Sequence, residues 1–174
     1  IMATYKEIKG VTVQTRDTDP TVNVGAWASV SALNTARDNG ASIGTTDNAM
    51  AIGGAPGSKN ISETWNGTSW TEGNNLNTGR SHFHGAGVYT SAVVAGGESP
   101  SVTNAVEKYN GTSWTTSTNY PASKASIGAM GASNTAAVFF GGAPTVAETY
   151  EFDGTNWTET NDMNTGRNDL AAAG

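Results

Sequence analysis

The chain has no cysteine, and charge is scarce: nine lysines and arginines and fifteen acids in 174 residues. The first absence rules out disulfides and thiolate metal ligation, without fixing a compartment. The second, at a net charge of −6, removes the clustered basic surface that a polyanion needs, so nucleic acid is not an expected partner. No apolar run reaches the roughly 18 residues of a membrane span, so no membrane insertion is expected. The opening Ile1-Met2-Ala3-Thr4-Tyr5-Lys6 has no signal-peptide core, and Met2 reads as the natural start. Apolar stripes at helical spacing are missing too. Glycine, threonine, asparagine and serine fill their place, which points to an all-β chain with many turns.

What is there is a repeated string. Asn66-Gly67-Thr68-Ser69-Trp70 returns as Asn110-Gly111-Thr112-Ser113-Trp114 and as Asp153-Gly154-Thr155-Asn156-Trp157, with a fainter copy, Asn23-Val24-Gly25-Ala26-Trp27, ahead of them. Trp27, Trp70, Trp114 and Trp157 stand 43, 44 and 43 residues apart. Asn-Gly or Asp-Gly between an aromatic strand end and a Trp-bearing strand predicts a tight type I′ hairpin with φ > 0 at both central residues. Gly67, Gly111 and Gly154 are then left-handed.

Around that turn each unit has the same order. It opens after a basic residue (Arg37, Arg80, Lys124 or Arg167), runs through a first strand and a polar turn, and continues into a more apolar second strand ending in a glycine pair. A loop of variable length follows, then a third strand ending in Trp65, Tyr109 or Phe152, the turn, and the Trp-bearing fourth strand. The connector Leu76-Asn77-Thr78-Gly79-Arg80 recurs at 33–37 and 163–167, and loosely at 120–124. Four short strands in about 43 residues, repeated, predict the blades of a β-propeller: antiparallel four-stranded meanders that must stack because none buries both faces alone. Trp70, Trp114 and Trp157 are expected at equivalent, largely buried positions between blades. Full units span about 38–76, 81–119 and 125–162, with partial copies near Trp27 and from Asn168 to Gly174. Residues 1–20 read as an N-terminal arm or attachment segment and 21–174 as the array. Because propellers close with at least four blades, the chain is expected to be a fragment of a longer one, or else copies of it complete one another as a homo-oligomer.

The glycine pair, the following aromatic and Trp, and the Leu/Met-Asn-Thr-Gly/Ala-Arg connector resemble kelch repeats over residues 21–174. The shorter period and the tight aromatic-to-Trp spacing of five depart from that pattern, and the Trp-Asp and Gly-His signatures of the WD40 repeat are missing. With the opening Met2-Ala3-Thr4-Tyr5-Lys6-Glu7-Ile8-Lys9-Gly10-Val11, the whole chain looks like the kelch-type proteins carried by marine bacteriophages, including cyanophages. That resemblance implies a virion-borne, extracellular location, as a tail-fibre or other virion structural protein. The partners it implies are other virion proteins and a host cell-surface glycan or protein.

Catalytic chemistry is thin. His82 and His84 stand at i and i+2, as two metal ligands on one strand face would, but no third ligand stands near. Asp17 with Asp19, and Glu148 with Glu151, read as turn or solvated strand residues rather than an acid–base pair. No nucleophile elbow or phosphate loop is present, so no enzyme activity, cofactor or metal is expected. Arg37, Arg80 and Arg167 could form a ring for anionic glycans, or cap strand-end carbonyls in each unit; the second is favoured. The contrast between loops is more informative. The third-to-fourth turns are nearly identical, whereas the second-to-third loops (55–62, 98–104 and 143–147) differ in length and chemistry. Recognition residues sit disproportionately on such loops, which makes Lys59, Asn60, Glu98, Ser101 and Asn104 the candidate ligand contacts.

Overall fold

A computed structural model of the chain describes residues 29–170. Those residues form three four-stranded sheets, each with its strands in sequence order and every pairing antiparallel. The first holds β1 (Ala41–Gly44), β2 (Ala49–Gly54), β3 (Lys59–Trp65) and β4 (Trp70–Glu72). The second holds β5 (His84–Val88), β6 (Ser91–Ala95), β7 (Val106–Tyr109) and β8 (Trp114–Thr116). The third holds β9 (Gly128–Ser133), β10 (Ala136–Phe140), β11 (Thr149–Phe152) and β12 (Trp157–Glu159). No helix occurs among the described residues. The arm at 1–20, the copy around Trp27 and residues 171–174 lie outside them, and Asn168–Leu170 form no strand.

The apolar run of β6 is explained by burial on both faces. Ala92, Val93, Val94 and Ala95 are all fully buried, and because side chains alternate along a strand they serve two cores. Ala92 and Val94 pack with Ile43, Met50, Ile52, Tyr109 and Trp114, between the first and second sheets. Val93 and Ala95 pack with Val106, Tyr120, Ile127, Phe139 and Phe152, between the second and third. The sheets approach most closely through β1, β5 and β9, whose residues are mostly Gly, Ala and Ser. Farther out the gap is filled by rings: Tyr109 lies 5.0 Å from Trp114, and Phe152 stacks on Trp157 at 4.5 Å. Each inter-sheet core is therefore a taper, small at the first strands and large at the fourth.

Two expectations change. The third-to-fourth connections are four-residue loops, not two-residue type I′ turns, since Trp65 pairs with Trp70, Tyr109 with Trp114 and Phe152 with Trp157. Only the glycine is left-handed, with φ of +89°, +91° and +97° at Gly67, Gly111 and Gly154. The residue before it acts through its side chain. Asn66 Oδ1 accepts from the N–H groups of Thr68 and Ser69, Asn110 Oδ1 from those of Thr112 and Ser113, and Asp153 Oδ1 from those of Thr155 and Asn156. Asn and Asp are selected here as local acceptors for backbone N–H groups rather than for tolerance of φ > 0. The tryptophans also differ in exposure. Trp114 is buried, whereas Trp70 and Trp157 are half-buried. Trp70 lies on the face of the first sheet turned away from the second, where no sheet among the described residues covers it.

Two outcomes follow. Trp114→Ala should cost about 3–5 kcal/mol, as for a buried large aromatic, and Trp70→Ala roughly half of that because less of its area leaves water; urea midpoints check both. The backbone N–H groups of Asn156 and Thr155 hold the Asp153 carboxyl below its usual range. A depressed folded pKa contributes stability that is present above the unfolded value of about 3.9 and is lost as pH falls through the folded one. Asp153→Asn should keep the loop, as Asn66 and Asn110 do, and the stability gap between wild type and variant should narrow as pH falls below about 4.

Candidate functional site

The recurrent basic residues are absorbed by the fold. Arg80 is fully buried, and its Nη1 donates to the carbonyls of Gly96 and Ala105 at 3.1 and 2.7 Å while Nη2 reaches Glu107 Oε1 at 2.7 Å. Glu107 accepts two more hydrogen bonds from the connector, from Asn77 N at 2.7 Å and Thr78 N at 3.2 Å. The first unit repeats the arrangement. Arg37 donates to Ile61 O and to Glu63 Oε1 at 2.6 Å, and Glu63 accepts from the N–H groups of Asn34 and Thr35. In both units the connector asparagine also donates to the Trp carbonyl of the fourth strand, Asn34 to Trp70 and Asn77 to Trp114. Burial pulls the Arg80 guanidinium down and Glu107 pulls it back. Within these two forks the Nε atoms of Arg37 and Arg80 are left without a partner. The third unit varies the theme: Lys124 pairs with Glu148, and Tyr150 stands where Glu63 and Glu107 stand, edge-on to Tyr120 at 5.3 Å. Arg167 is exposed, and its carbonyl accepts from Gly142 N at 2.8 Å.

Glu63 and Glu107 were absent from the sequence-based candidates. The available signal was their fixed place seven residues before Trp70 and Trp114. It is weak because the third unit has Tyr150 there and because carboxylates are rarely buried.

The basic residues also join sheets through their backbones. The carbonyls of Arg80 and Lys124 accept from Gly54 N and Gly97 N at 2.8 Å. A Cβ on Gly96 would sit 2.4 Å from Lys124 O, so the first glycine of the pair is what lets the next unit approach. Two residues past the basic position the chain turns left-handed at a non-glycine in each unit: Asn39, His82, Ser126 and Asp169, with φ between 49° and 53°. Asn39 O accepts from His82 N, and His82 O from Ser126 N, both at 2.7 Å. This turn separates the two histidines. His82 lies 3.4 Å from Glu98 at the surface, whereas His84 starts β5 and is held below its usual pKa by burial. No three His, Asp or Glu residues converge as a metal cluster among the described residues.

The five loop candidates lie at one end of the sheets but do not converge. Lys59 and Asn60 belong to β3, because Gly54 pairs with Lys59 and shortens the first loop to Ala55–Ser58. The Asn60 carbonyl accepts from Leu76 N and that of Lys59 from Arg80 N, so both are held by the connector. The Glu98 backbone pairs with Ser81 and Val102, and its carbonyl accepts from Ser58 Oγ at 3.2 Å, which links the first two loops. Ser101 is exposed; Asn104 is half-buried with its carbonyl engaged by Tyr120 N.

The main cavities are elsewhere. A groove of about 360 Å³ runs over Ser42, Gly85, Gly87, Met130 and Gly131, where β1, β5 and β9 meet. A larger cleft of about 560 Å³ opens between the first and second sheets beside the first-to-second and third-to-fourth turns, with Trp65, Tyr89, Tyr109, Asn48, Asn66 and Glu72 among its walls. A third, of about 490 Å³, lies over the face of the third sheet that carries Val138, Glu151 and Thr158. None of the five loop candidates borders any of these. Comparison with protein-family models and with curated proteins gives no match for the chain.

The buried fork sets the expected cost of losing it. Arg80→Met leaves buried Glu107 without its cation and the Gly96 carbonyl unpaired, and should destabilise by about 3–5 kcal/mol. Arg167→Met, at an exposed side chain, should stay within about 0.5 kcal/mol of wild type. Denaturant midpoints at neutral pH measure the difference.

Proposed function

We propose that the chain is a kelch-like propeller array borne on a bacteriophage virion, where it acts as a tail-fibre or adhesin component. Its stacked sheets are the blades, and its second-to-third-strand loops hold a host-surface glycan or protein. The observation that carries this reading is a contrast between the two ends of the sheets. At one end, three loops share one hydrogen-bond pattern and one left-handed glycine. At the other, the connections differ: Ala55–Ser58, then 96–105, then 141–148. A scaffold needs its units alike, whereas a recognition surface gains from having them differ. Lys59, Asn60, Glu98, Ser101 and Asn104 sit at the varied end. The burial of Arg37, Arg80 and Lys124 leaves little exposed positive charge among the described residues, which favours neutral sugar or protein over nucleic acid. Binding by several copies on one particle would raise a modest affinity through avidity.

The second reading is a virion scaffold without receptor binding, an array that only stacks against other virion proteins. What favours it is that the five candidates share no cavity and that three of them, Lys59, Asn60 and Asn104, are tied to a connector through their backbones. Replacing all five with alanine and measuring adsorption of assembled particles to host cells separates the two. The adhesin reading expects a loss of adsorption of about tenfold or more, a difference of about 1.4 kcal/mol. Unchanged adsorption by particles that assemble normally would favour the scaffold.

A further inference from the structure

We propose that the cleft between the first and second sheets is a subsite for a neutral hexose. The inference rests on the glycan-binding reading above, but it puts the sugar at the opposite end of the sheets from the varied loops. A pyranose presents an apolar C–H face and a rim of hydroxyls, so a site for it needs an accessible aromatic surface flanked by donors and acceptors. The cleft has both. Tyr89 is 40% exposed and shares the wall with Tyr109. Asn48 and Asn66 line the same space with carboxamide side chains. Asn66 spends its Oδ1 on the backbone of its own loop, which leaves its Nδ2 as a donor. At about 560 Å³ the volume falls in the roughly 300–1,000 Å³ range of small-molecule sites.

The second junction shows that the opening is a property of particular residues and not of the repeat. There Lys108 Nζ reaches across to Gly154 O at 2.6 Å, and Asn134 donates to Tyr109 O at 2.7 Å and to Ser91 Oγ at 3.1 Å. The corresponding positions at the first junction are Thr64, Tyr89 and Asn48, and all three line the cleft. Thr64 is too short to span the gap and instead donates to Thr71 O in its own sheet. The indoles differ in the same way. Trp157 Nε1 donates to Thr118 O at 3.0 Å, whereas buried Trp114 Nε1 has no protein partner. Position 74, which matches Thr118, holds Asn74, whose side chain donates to Thr112 O and whose residue lines the cleft.

Charge narrows the ligand. No lysine, arginine or histidine borders the cleft, so a sialic or uronic acid would find no cation there to neutralise its charge. A neutral or N-acetylated hexose fits; an anionic one does not.

The test titrates the full chain with the methyl glycosides of glucose, galactose, mannose and N-acetylglucosamine, read by tryptophan fluorescence and saturation-transfer NMR. At least one should bind saturably in the millimolar range. Tyr89→Ala and Thr64→Lys should each weaken it by about tenfold or more, the second by rebuilding the bridge that Lys108 makes. Both positions are solvent-accessible or half-buried, and near-ultraviolet circular dichroism verifies that each variant is folded. The five-residue loop variant should bind the glycoside as wild type does. Saturable binding by none of the four, or binding that Tyr89→Ala and Thr64→Lys leave intact, overturns the subsite. Particle adsorption distinguishes the two readings: adsorption lost in the loop variant alone would leave the adhesin standing without the cleft.

Discussion

One carboxylate in the third strand organises each of the first two units. Glu107 accepts from a guanidinium and from two successive backbone N–H groups, and the same guanidinium caps two carbonyls at the ends of β6 and the approach to β7. A connector without regular structure would otherwise carry unpaired backbone groups into the interior. Burying an ion pair is not in itself a large source of stability. Its value here is geometric, because a planar, forked donor and a bidentate acceptor admit few alternative registers. The connector is thereby fixed to the sheet that follows it, while its own N–H groups, from Leu76 and Arg80, remain bonded to the sheet before.

Strand number, order and the all-β class were legible because they depend on local signals that recur: the apolar second strand, the glycine pair that ends it, and the Asn-Gly-Thr-Ser-Trp loop. The type of that loop was not legible. Asn66 and Gly67 suit a two-residue turn by propensity, but the Trp65–Trp70 pairing sets a four-residue loop, and pairing is a property of two strands rather than of the dipeptide. Glu63 and Glu107 were missed for a related reason. Their burial follows from an arginine 26 or 27 residues earlier, a distance no local window spans. Likewise the left-handed turn at His82, which separates it from His84, is imposed by hydrogen bonds to Asn39 and Ser126 in the neighbouring units. The cleft was hidden in the sequence because it arises from differences between units, Thr64 against Lys108 and Tyr89 against Asn134, whereas a search for repeats attends to likeness.

The taper between sheets ties these observations together. Small residues let β1, β5 and β9 meet, and the widening gap beyond them must be filled by rings or by long polar side chains that cross it. At the second junction Lys108 and Trp157 cross. At the first, Asn77 reaches Trp114 O and Asn74 reaches Thr112 O in the turn, while the space beside Thr64, Tyr89 and Asn48 stays open. Rigidity and access are thus apportioned junction by junction on one scaffold, without any change in strand pairing.

The connector's double attachment also says where such an array can be divided. A cut between one Trp-bearing strand and the next basic residue looks natural on the strand diagram, yet a break at 79 or 80 would part Arg80 from Asn77 and Thr78, which hold the same carboxylate. The exchangeable cassette therefore starts at the connector's apolar residue and runs through the fourth strand: 33–75, 76–119 and 120–162. Each piece ends on an exposed polar pair, Asn74-Asn75, Thr118-Asn119 or Asn161-Asp162, immediately before its join. Gene duplication and recombination that respect those seams carry each ionic fork across intact, so units can be shuffled, added or lost while every inherited piece keeps its own internal lock.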